Sequence, residues 1–302
     1  MRHTDDREMG DRADLDAAAA VFAGERRRLF GIAYRMLGTV ADAEDIVQEA
    51  WIRWQHTDRS AVKEPAAFLT TVTTRLCINE AKSAHSRRET YIGPWLPEPV
   101  NTEDDPLLGA ERGEALQFAV LLLLEKLTPT ERAAYVLREA LDYPYERIAV
   151  IVRSTAPAAR QLVSRARKHL SGSRRTEVPA SEHRRLLETF LTAAKSGDVG
   201  ALEDLFASDV VSYTDGNGVK LAARVPVRGR ERVAKFVAAF SGHFWTGKTV
   251  GWVEINGQPA ATLSENGVVT TAVTVTASEN GILQLLWQMS PDKLHHIAPA
   301  GA

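Results

Sequence analysis

Three blocks of hydrophobic patterning divide the chain. In the first, Val21, Phe22, Leu29, Phe30, Ile32, Ala33, Met36 and Leu37 recur with helical period and stop at Gly38, which can close a helix in the left-handed region. Residues 42–54 form a second helix, with an acidic first turn and an inward stripe of Ile46, Val47, Ala50, Trp51 and Trp54. A third begins near Pro65 and is expected to end near Ala84 or His85. The second block holds an apolar helix over 114–126 and a helix over 129–140. The latter is announced by a Thr128/Glu131 capping box with Pro129 at the first helical position. Residues 145–170 then read as two helices meeting at a corner near Val152 to Ser154. Ile148, Ala149 and Val152 face inward on the first, and Ala158, Leu162, Ala166 and Leu170 on the second. In the third block, helices over 183–196, 199–206 and 230–240 mix with strand-like runs over 210–214, 219–227, 249–256, 260–263, 268–277 and 283–289. That order predicts an α+β domain on a curved, antiparallel sheet.

The connectors set the domain boundaries. Residues 1–16 are charged, lack an apolar core and are expected to be disordered; residues 17–88 make the first helical module. Residues 89–112 form a linker whose Pro94, Pro97 and Pro99 deny it amide donors and hold it extended. An exposed indole gains nothing from water, so Trp95 is expected to pack on a neighbouring module or inside the channel of a large protein partner. The second module covers 113–171, a polar hinge 172–181, and the C-terminal domain 182–302.

Composition changes this picture little, but charge placement changes it more. Of 302 residues, 44% are apolar and 25% charged, so neither enzyme nor binding module is excluded. The net charge of −2 conceals a polarity: acids gather in the first fifty residues and over 98–114, whereas residues 153–175 carry only basic charge. One cysteine, Cys77, can form neither an internal disulfide nor a cysteine cluster, which together with the absence of a long apolar run points to the cytoplasm.

The corner at 152–154 has the form of a helix-turn-helix. Its second helix turns Ser154, Arg160, Gln161, Ser164, Arg165, Arg167 and Lys168 away from the apolar stripe. Such a helix fits a DNA major groove, where Arg and Gln pair with base edges and the other cations gain by displacing phosphate counterions. An ordinary solvated helix has the same pattern. Arg75, Asn79, Lys82, Arg87 and Arg88 make a polar, basic edge on the third helix, suited to DNA backbone or unpaired bases. Asp42, Glu44, Asp45, Gln48 and Glu49 serve either as dipole compensation or as a protein-docking face.

Two stretches carry a family resemblance. Residues 29–38, Leu-Phe-Gly-Ile-Ala-Tyr-Arg-Met-Leu-Gly, followed by Asp42-Ala43-Glu44-Asp45-Ile46-Val47-Gln48-Glu49, resemble region two of bacterial extracytoplasmic-function (ECF) sigma factors. Residues 145–170, with Arg165-Ala166-Arg167, resemble their region four. The resemblance implies that the 42–54 helix docks on the β′ clamp helices of core RNA polymerase, with region four at the β flap. It also implies that residues 58–88 read the minus-10 promoter element and that Arg160 and its neighbours read minus-35. The proline-rich linker is similar to that of the sigma-factor group with an added C-terminal domain.

That domain resembles the SnoaL-like, ketosteroid-isomerase-like cone fold. In enzymes this fold wraps an apolar cavity, and here Asp209, His243 and Glu254 are the acid-base candidates, without any telling pairwise spacing. Asp215-Gly216-Asn217-Gly218-Val219-Lys220 reads as a hairpin turn with positive φ at Asn217-Gly218. In the resembling sigma factors an Asp-Gly-Gly-Gly-basic motif stands in this place and contacts region two. Here one glycine is Asn217, and Val219 is inserted before Lys220. His295, His296 and the Ala-Pro-Ala-Gly-Ala end read as a frayed tail, and no metal or cofactor is expected. The expected function is thus a multidomain sigma factor, two all-α modules plus an α+β regulatory domain, that brings core polymerase to promoters and binds promoter DNA. A small-molecule ligand is a further candidate partner for the last domain. The alternatives are a ligand-sensing helix-turn-helix repressor and an isomerase or cyclase carried on a DNA-binding module.

Overall fold

The computed structural model describes residues 2–102, 118–171 and 178–298. Its elements run α1 (Arg2–Leu37), α2 (Val40–Gln55), a 3-10 turn (Arg59–Ala61), α3 (Pro65–Glu89), α4 (Phe118–Leu124), α5 (Pro129–Glu139), α6 (Tyr145–Ile151) and α7 (Ala156–Ser171). The last part comprises α8 (Ala180–Ser196), α9 (Val199–Leu205), β1 (Phe206–Asp215), β2 (Val227–Arg228), α10 (Arg230–Ala238), β3 (Thr249–Ile255), β4 (Gln258–Glu265), β5 (Val268–Ser278), β6 (Gly281–Gln288) and α11 (Pro291–Leu294). These gather into two compact units, residues 1–86 with 124–169, and residues 87–123 with 170–302.

In the first unit, Leu29, Ile32, Ala33, Met36 and Leu37 of α1 are fully buried, and α2 packs along them through Ala43, Ile46, Val47, Ala50 and Trp54. Trp54 also donates its indole N–H to Ala18 O at 3.1 Å. Gly38 takes φ 75° and ends α1 as expected, and the Thr39 hydroxyl caps α2 by accepting from Asp42 N. Trp51 is only partly buried, unlike its neighbours on the stripe. Helix α1 reaches back to Arg2, through the stretch expected to be disordered: no proline interrupts it, and Ala17 to Ala20 are strong helix formers. For the same reason α3 continues past His85 to Glu89, since no Gly or Pro occurs before Gly93.

The α6–α7 pair closes around Ala134, Leu137, Ile148, Ala149, Ile151, Ala159, Leu162 and Val163. Its corner is sharp because Arg153 takes φ 55°, and Thr155 rather than Ser154 caps α7 by accepting from Ala158 N. Ile148, Ala149, Leu162, Ala166 and Leu170 are buried as expected, while Ile151 and Ala159 point fully inward in place of the partly buried Val152 and Ala158.

The second unit is a six-stranded sheet in the order β2-β1-β6-β5-β4-β3, with α8, α9 and α10 over one face. It is mixed rather than antiparallel, because β1 runs parallel to β6, Val211 opposite Gln284 and Asp215 opposite Gln288. Hairpin logic links only sequence neighbours, and α10 separates β1 from the β3–β6 meander. The expected strand over 219–227 shrinks to Val227–Arg228. Pro226 lacks a donor, and the preceding residues coil into turns, Val219 N donating to Gly216 O and Ala222 N to Val219 O. The positive φ angles at Asn217 (43°) and Gly218 (90°) therefore belong to a loop, not to a hairpin. The hinge residues 172–177 and the linker residues 103–112 lie outside the described residues.

Candidate nucleic-acid and polymerase interface

On α7, Arg160, Gln161, Ser164, Arg165, Arg167 and Lys168 are all exposed, as is Ser154 at the corner. Residues 153–175 carry only basic charge, but acids from α5 meet part of this face. Arg165 Nε lies 3.0 Å from Glu131 Oε1, and Arg167 Nη2 lies 2.7 Å from Glu139 Oε1, both acids on α5. Burial alone would raise the Glu131 carboxyl, but hydrogen bonds from the Thr128 side chain and backbone and from Arg165 outweigh it and hold it below the usual range. Arg160, itself exposed, instead lies over the Tyr145 ring, 4.9 Å from its centroid.

Along α2 the acidic set divides. Asp42 caps its own helix with Thr39, Glu44 pairs with Arg26 at 2.5 Å, and Glu49 pairs with Arg53 at 2.8 Å, while Asp45 and Gln48 are exposed. Between α1 and α2 runs an open groove of about 440 Å³, with Phe22, Val47 and Trp51 as its floor and Arg26, Glu44 and Gln48 on its rim. An apolar floor under a charged rim suits a helical protein partner.

On α3, Asn79 and Lys82 are exposed, and the side chains of Arg87 and Arg88 lie outside the described residues. Arg75 is engaged within the unit: its guanidinium donates to Val150 O at 2.9 Å and Ile151 O at 3.1 Å, the carbonyl end of α6. Further bonds tie the first three helices to the helix-turn-helix side. Arg28 Nη2 donates to the Tyr143 hydroxyl at 2.7 Å, and that hydroxyl donates to Thr70 Oγ1 at 3.3 Å. Arg132 donates to Met36 O at the end of α1 and to Glu125, both at 2.6 Å, and burial pushes its pKa down to about 10. Sequence reading passed over both: Arg28 is the last of the run Arg26-Arg27-Arg28 and does not stand out from it, and a lone Arg such as Arg132 carries no pattern of its own.

The second unit has its own polar centre, Asp215, whose side chain is fully buried. The Tyr91 hydroxyl donates to its Oδ1 at 2.6 Å; Leu96 N–H and the Lys293 ammonium both donate to its Oδ2 at 2.7 Å. Lys293 also donates to Leu96 O at 2.6 Å and lies over the rings of Trp95 (4.4 Å) and Tyr91 (4.9 Å). Burial, then the adjacent carboxylate, push the Tyr91 phenol far up, so it remains a donor. Trp95 therefore does pack, though its partner ring-side is a cation. Gln288 donates to Pro97 O, and the linker backbone continues along the edge of β3, Asn256 N donating to Val100 O and Thr102 N to Glu254 O.

The basic residue on Asp215 is thus Lys293, while Lys220 is exposed. Ser290-Pro291 begins the short helix that carries Lys293, and that helix start was the missed signal. His295 and His296 are not frayed: His296 Nε2 bonds Pro99 O at 2.6 Å and its Nδ1 faces Glu98 at 3.3 Å. Glu98, His295 and His296 are the group among the described residues whose ligand atoms come within 4.8 Å of one another, and the Glu98–His296 pair accounts for that approach. Gly216 sits where a Cβ would meet the Ala222 Cβ at 2.2 Å. Gly216→Ala is expected to lower the melting temperature and Ala222→Gly to restore it, read by circular dichroism; equal melting of all three chains would contradict that packing. Asp209 and His243 are exposed, and Glu254 accepts from the Thr102 hydroxyl at 2.7 Å, so the acid-base candidates do not converge.

Residues 21–87 match the family sigma-70 region 2, and residues 117–170 match sigma-70 region 4. The ECF RNA polymerase sigma factor SigJ of Mycobacterium tuberculosis (strain H37Rv) is 40% identical over 221 residues, 72% of this chain and 70% of that protein. The probable ECF RNA polymerase sigma factor SigI of Mycobacterium tuberculosis (strain CDC 1551 / Oshkosh) is 32% identical over 232 residues, 76% and 78% of the two chains. The crystal structure of SigJ superposes with a TM-score of 0.74 at 33% identity, covering 92% of this chain and 98% of that one. With both sigma regions present in order, and a relative of this identity covered over more than two thirds of its length, the chain belongs to the extracytoplasmic-function RNA polymerase sigma factors and carries a C-terminal β-sheet domain beside its two helical modules.

Proposed function

We propose that the chain brings core RNA polymerase to promoters through three surfaces and that the described conformation is its resting state. The α1–α2 groove, with Asp45 and Gln48 on α2, takes the polymerase clamp helices. Helix α7 reads minus-35 with Arg160 and Gln161 foremost, and the Asn79–Lys82 side of α3 meets the minus-10 strand. No step of this requires catalysis by the chain, and it takes place in the cytoplasm, where polymerase and template are.

The observation that carries the resting-state reading is the bonding of Arg75 to the Val150 and Ile151 carbonyls. Minus-10 and minus-35 elements are about 25 base pairs apart, which at about 3.4 Å per step is about 85 Å. Modules joined by direct hydrogen bonds cannot reach both, so they separate on the polymerase. We assign the restraint on that separation to Asp215, which holds the linker between the modules on the C-terminal domain. A free operator-binding repressor gains nothing from such a latch and needs Arg165 and Arg167 unpaired, so that reading is not adopted.

Binding of core polymerase to immobilised full-length chain tests the first surface. Asp45→Lys with Gln48→Lys is expected to weaken it at least tenfold, and unchanged binding would remove α2 from the interface. Arg75→Ala is expected to speed association several-fold by loosening the closed form. Unchanged or slower association would mean that the Arg75 bonds do not hold the closed form against polymerase.

A further inference from the structure

The linker and the turn that follows α11 bring three metal-binding groups together. Ligand atoms of Glu98, His295 and His296, one from each, lie within 4.8 Å of one another. Two imidazoles alone make a poor site, but the fold adds a carboxylate from a distant part of the chain. Glu98 stands between Pro97 and Pro99, whose rings fix the backbone on either side of it, and it is 5% exposed. His295 and His296 stand between Leu294 and Ile297, both buried in one apolar cluster with Leu96. Ile297 N donates to Leu294 O at 3.0 Å and closes that turn. Both sides of the site are thus anchored by packing and by backbone bonds.

The approach of Glu98 to His296 can be an ion pair or two ligands of one ion, and its length decides. His296 Nδ1 lies 3.3 Å from Glu98 Oε1. A charge-assisted N–H···O bond is shorter, roughly 2.7–2.9 Å. Two ligands held at about 2.0–2.1 Å from one ion, at the tetrahedral angle, stand about 3.3 Å apart. The ring nitrogens agree. His295 Nδ1 bonds Asp292 O at 2.7 Å and His296 Nε2 bonds Pro99 O at 2.6 Å. A carbonyl oxygen only accepts, so each of these nitrogens carries the proton, and a neutral ring keeps its lone pair on the other one. Outer hydrogen bonds of this kind orient the imidazoles of metal sites. His295 is exposed, so its ring can turn toward the pair without disturbing the core.

We propose that Glu98, His295 and His296 bind one Zn²⁺-class ion, with water in the fourth position, and that the ion braces the linker against the end of the sheet domain. Two imidazoles and one carboxylate suit Zn²⁺ and Co²⁺, whereas Mg²⁺ and Ca²⁺ favour oxygen ligands. The brace rests on the latch reading above, since Lys293, just before the two histidines, holds Leu96 and Asp215.

The probe is Co²⁺, titrated into the chelator-treated full-length chain without polymerase and read by visible absorption. Saturable binding of one ion, with the intense bands of four-coordinate Co²⁺ and displacement by Zn²⁺, is expected. His295→Ala and Glu98→Gln are each expected to weaken it by about tenfold or more. His295→Ala is expected to melt with the parent when metal is absent, so its loss of binding is not a loss of fold. The weak bands of aqueous Co²⁺ throughout would mean that Glu98 and His296 form an ion pair only. Equal affinity in the parent and both variants would mean that the ion sits on another histidine. Either result would overturn the site.

Hydrogen exchange at the Leu96 and Val100 amides, held by Asp215 and Asn256 on either side of Glu98, reads the brace. Saturating Zn²⁺ is expected to slow both several-fold. Unchanged rates with the ion bound would overturn the brace and leave the site. Fast exchange at Leu96 in the metal-free parent would instead remove the latch, while the Co²⁺ result stood.

Discussion

Asp215→Asn is expected to release the linker and to raise initiation from a promoter recognised by the chain. The buried carboxylate holds two linker donors, Tyr91 Oη and Leu96 N, and the Lys293 ammonium. Neutralising one partner of a buried ion pair leaves the other uncompensated and costs about 3–5 kcal/mol. The midpoint of denaturant unfolding of the second unit is expected to fall accordingly, and thermolysin, which cuts before apolar residues such as Ile92 and Val100, is expected to cut residues 91–102 faster. Asp215→Leu combined with Lys293→Met removes both charges and should return much of the stability, since such replacements are often near neutral. It cannot restore acceptors for Tyr91 and Leu96, so the linker stays free and initiation stays raised. Stability and regulation thus separate in one pair of variants. If the double variant recovered both stability and the resting level of transcription, the hydrogen bonds to Asp215 would not be the latch.

Among the recognition-helix residues, Arg160→Ala is expected to show the largest loss of promoter affinity in the polymerase complex. Arg160 is held over Tyr145 by a ring contact that leaves its fork of donors available to a base edge. Losing one such contact costs about 1–3 kcal/mol, roughly 5- to 150-fold in affinity, and relaxes preference at a single base pair. Arg165 and Arg167 must first give up Glu131 and Glu139, so their alanine variants lose less. Glu139→Gln is expected to strengthen non-specific DNA binding. The Glu131 carboxyl is held below the usual range, so its contribution to the folded state is present at neutral pH and is lost as pH falls through that depressed pKa. Filter binding across promoter variants measures the ranking; equal losses for the three arginines would show that none reads bases.

The helical modules were legible because their signals are local. The Thr128/Glu131 box, Gly38 and the 3.6-residue stripes on α2 and α7 act within a turn or two, and the structure places helix boundaries close to where they point. What was not legible depends on partners distant in sequence. Nothing near Arg75 announces that Val150 lies against it, and nothing near Asp215 announces Lys293. The Asp215 segment was singled out for its turn residues, and the turn's positive φ angles are present, yet its chemistry comes from a lysine that sequence spacing never connects to it. The parallel β1–β6 pair has the same origin, since strand patterning gives faces but not neighbours.

Hydrogen exchange of the linker amides in the full-length chain, free and bound to core polymerase, tests the latch most directly. Leu96 N–H is held by Asp215, and the Thr102 and Asn256 amides bridge linker and sheet. The predicted result is slow exchange at all three in the free chain and acceleration of tenfold or more at each once polymerase is bound. Equal protection in both states would mean that the linker stays on the sheet during initiation and that Asp215 restrains nothing.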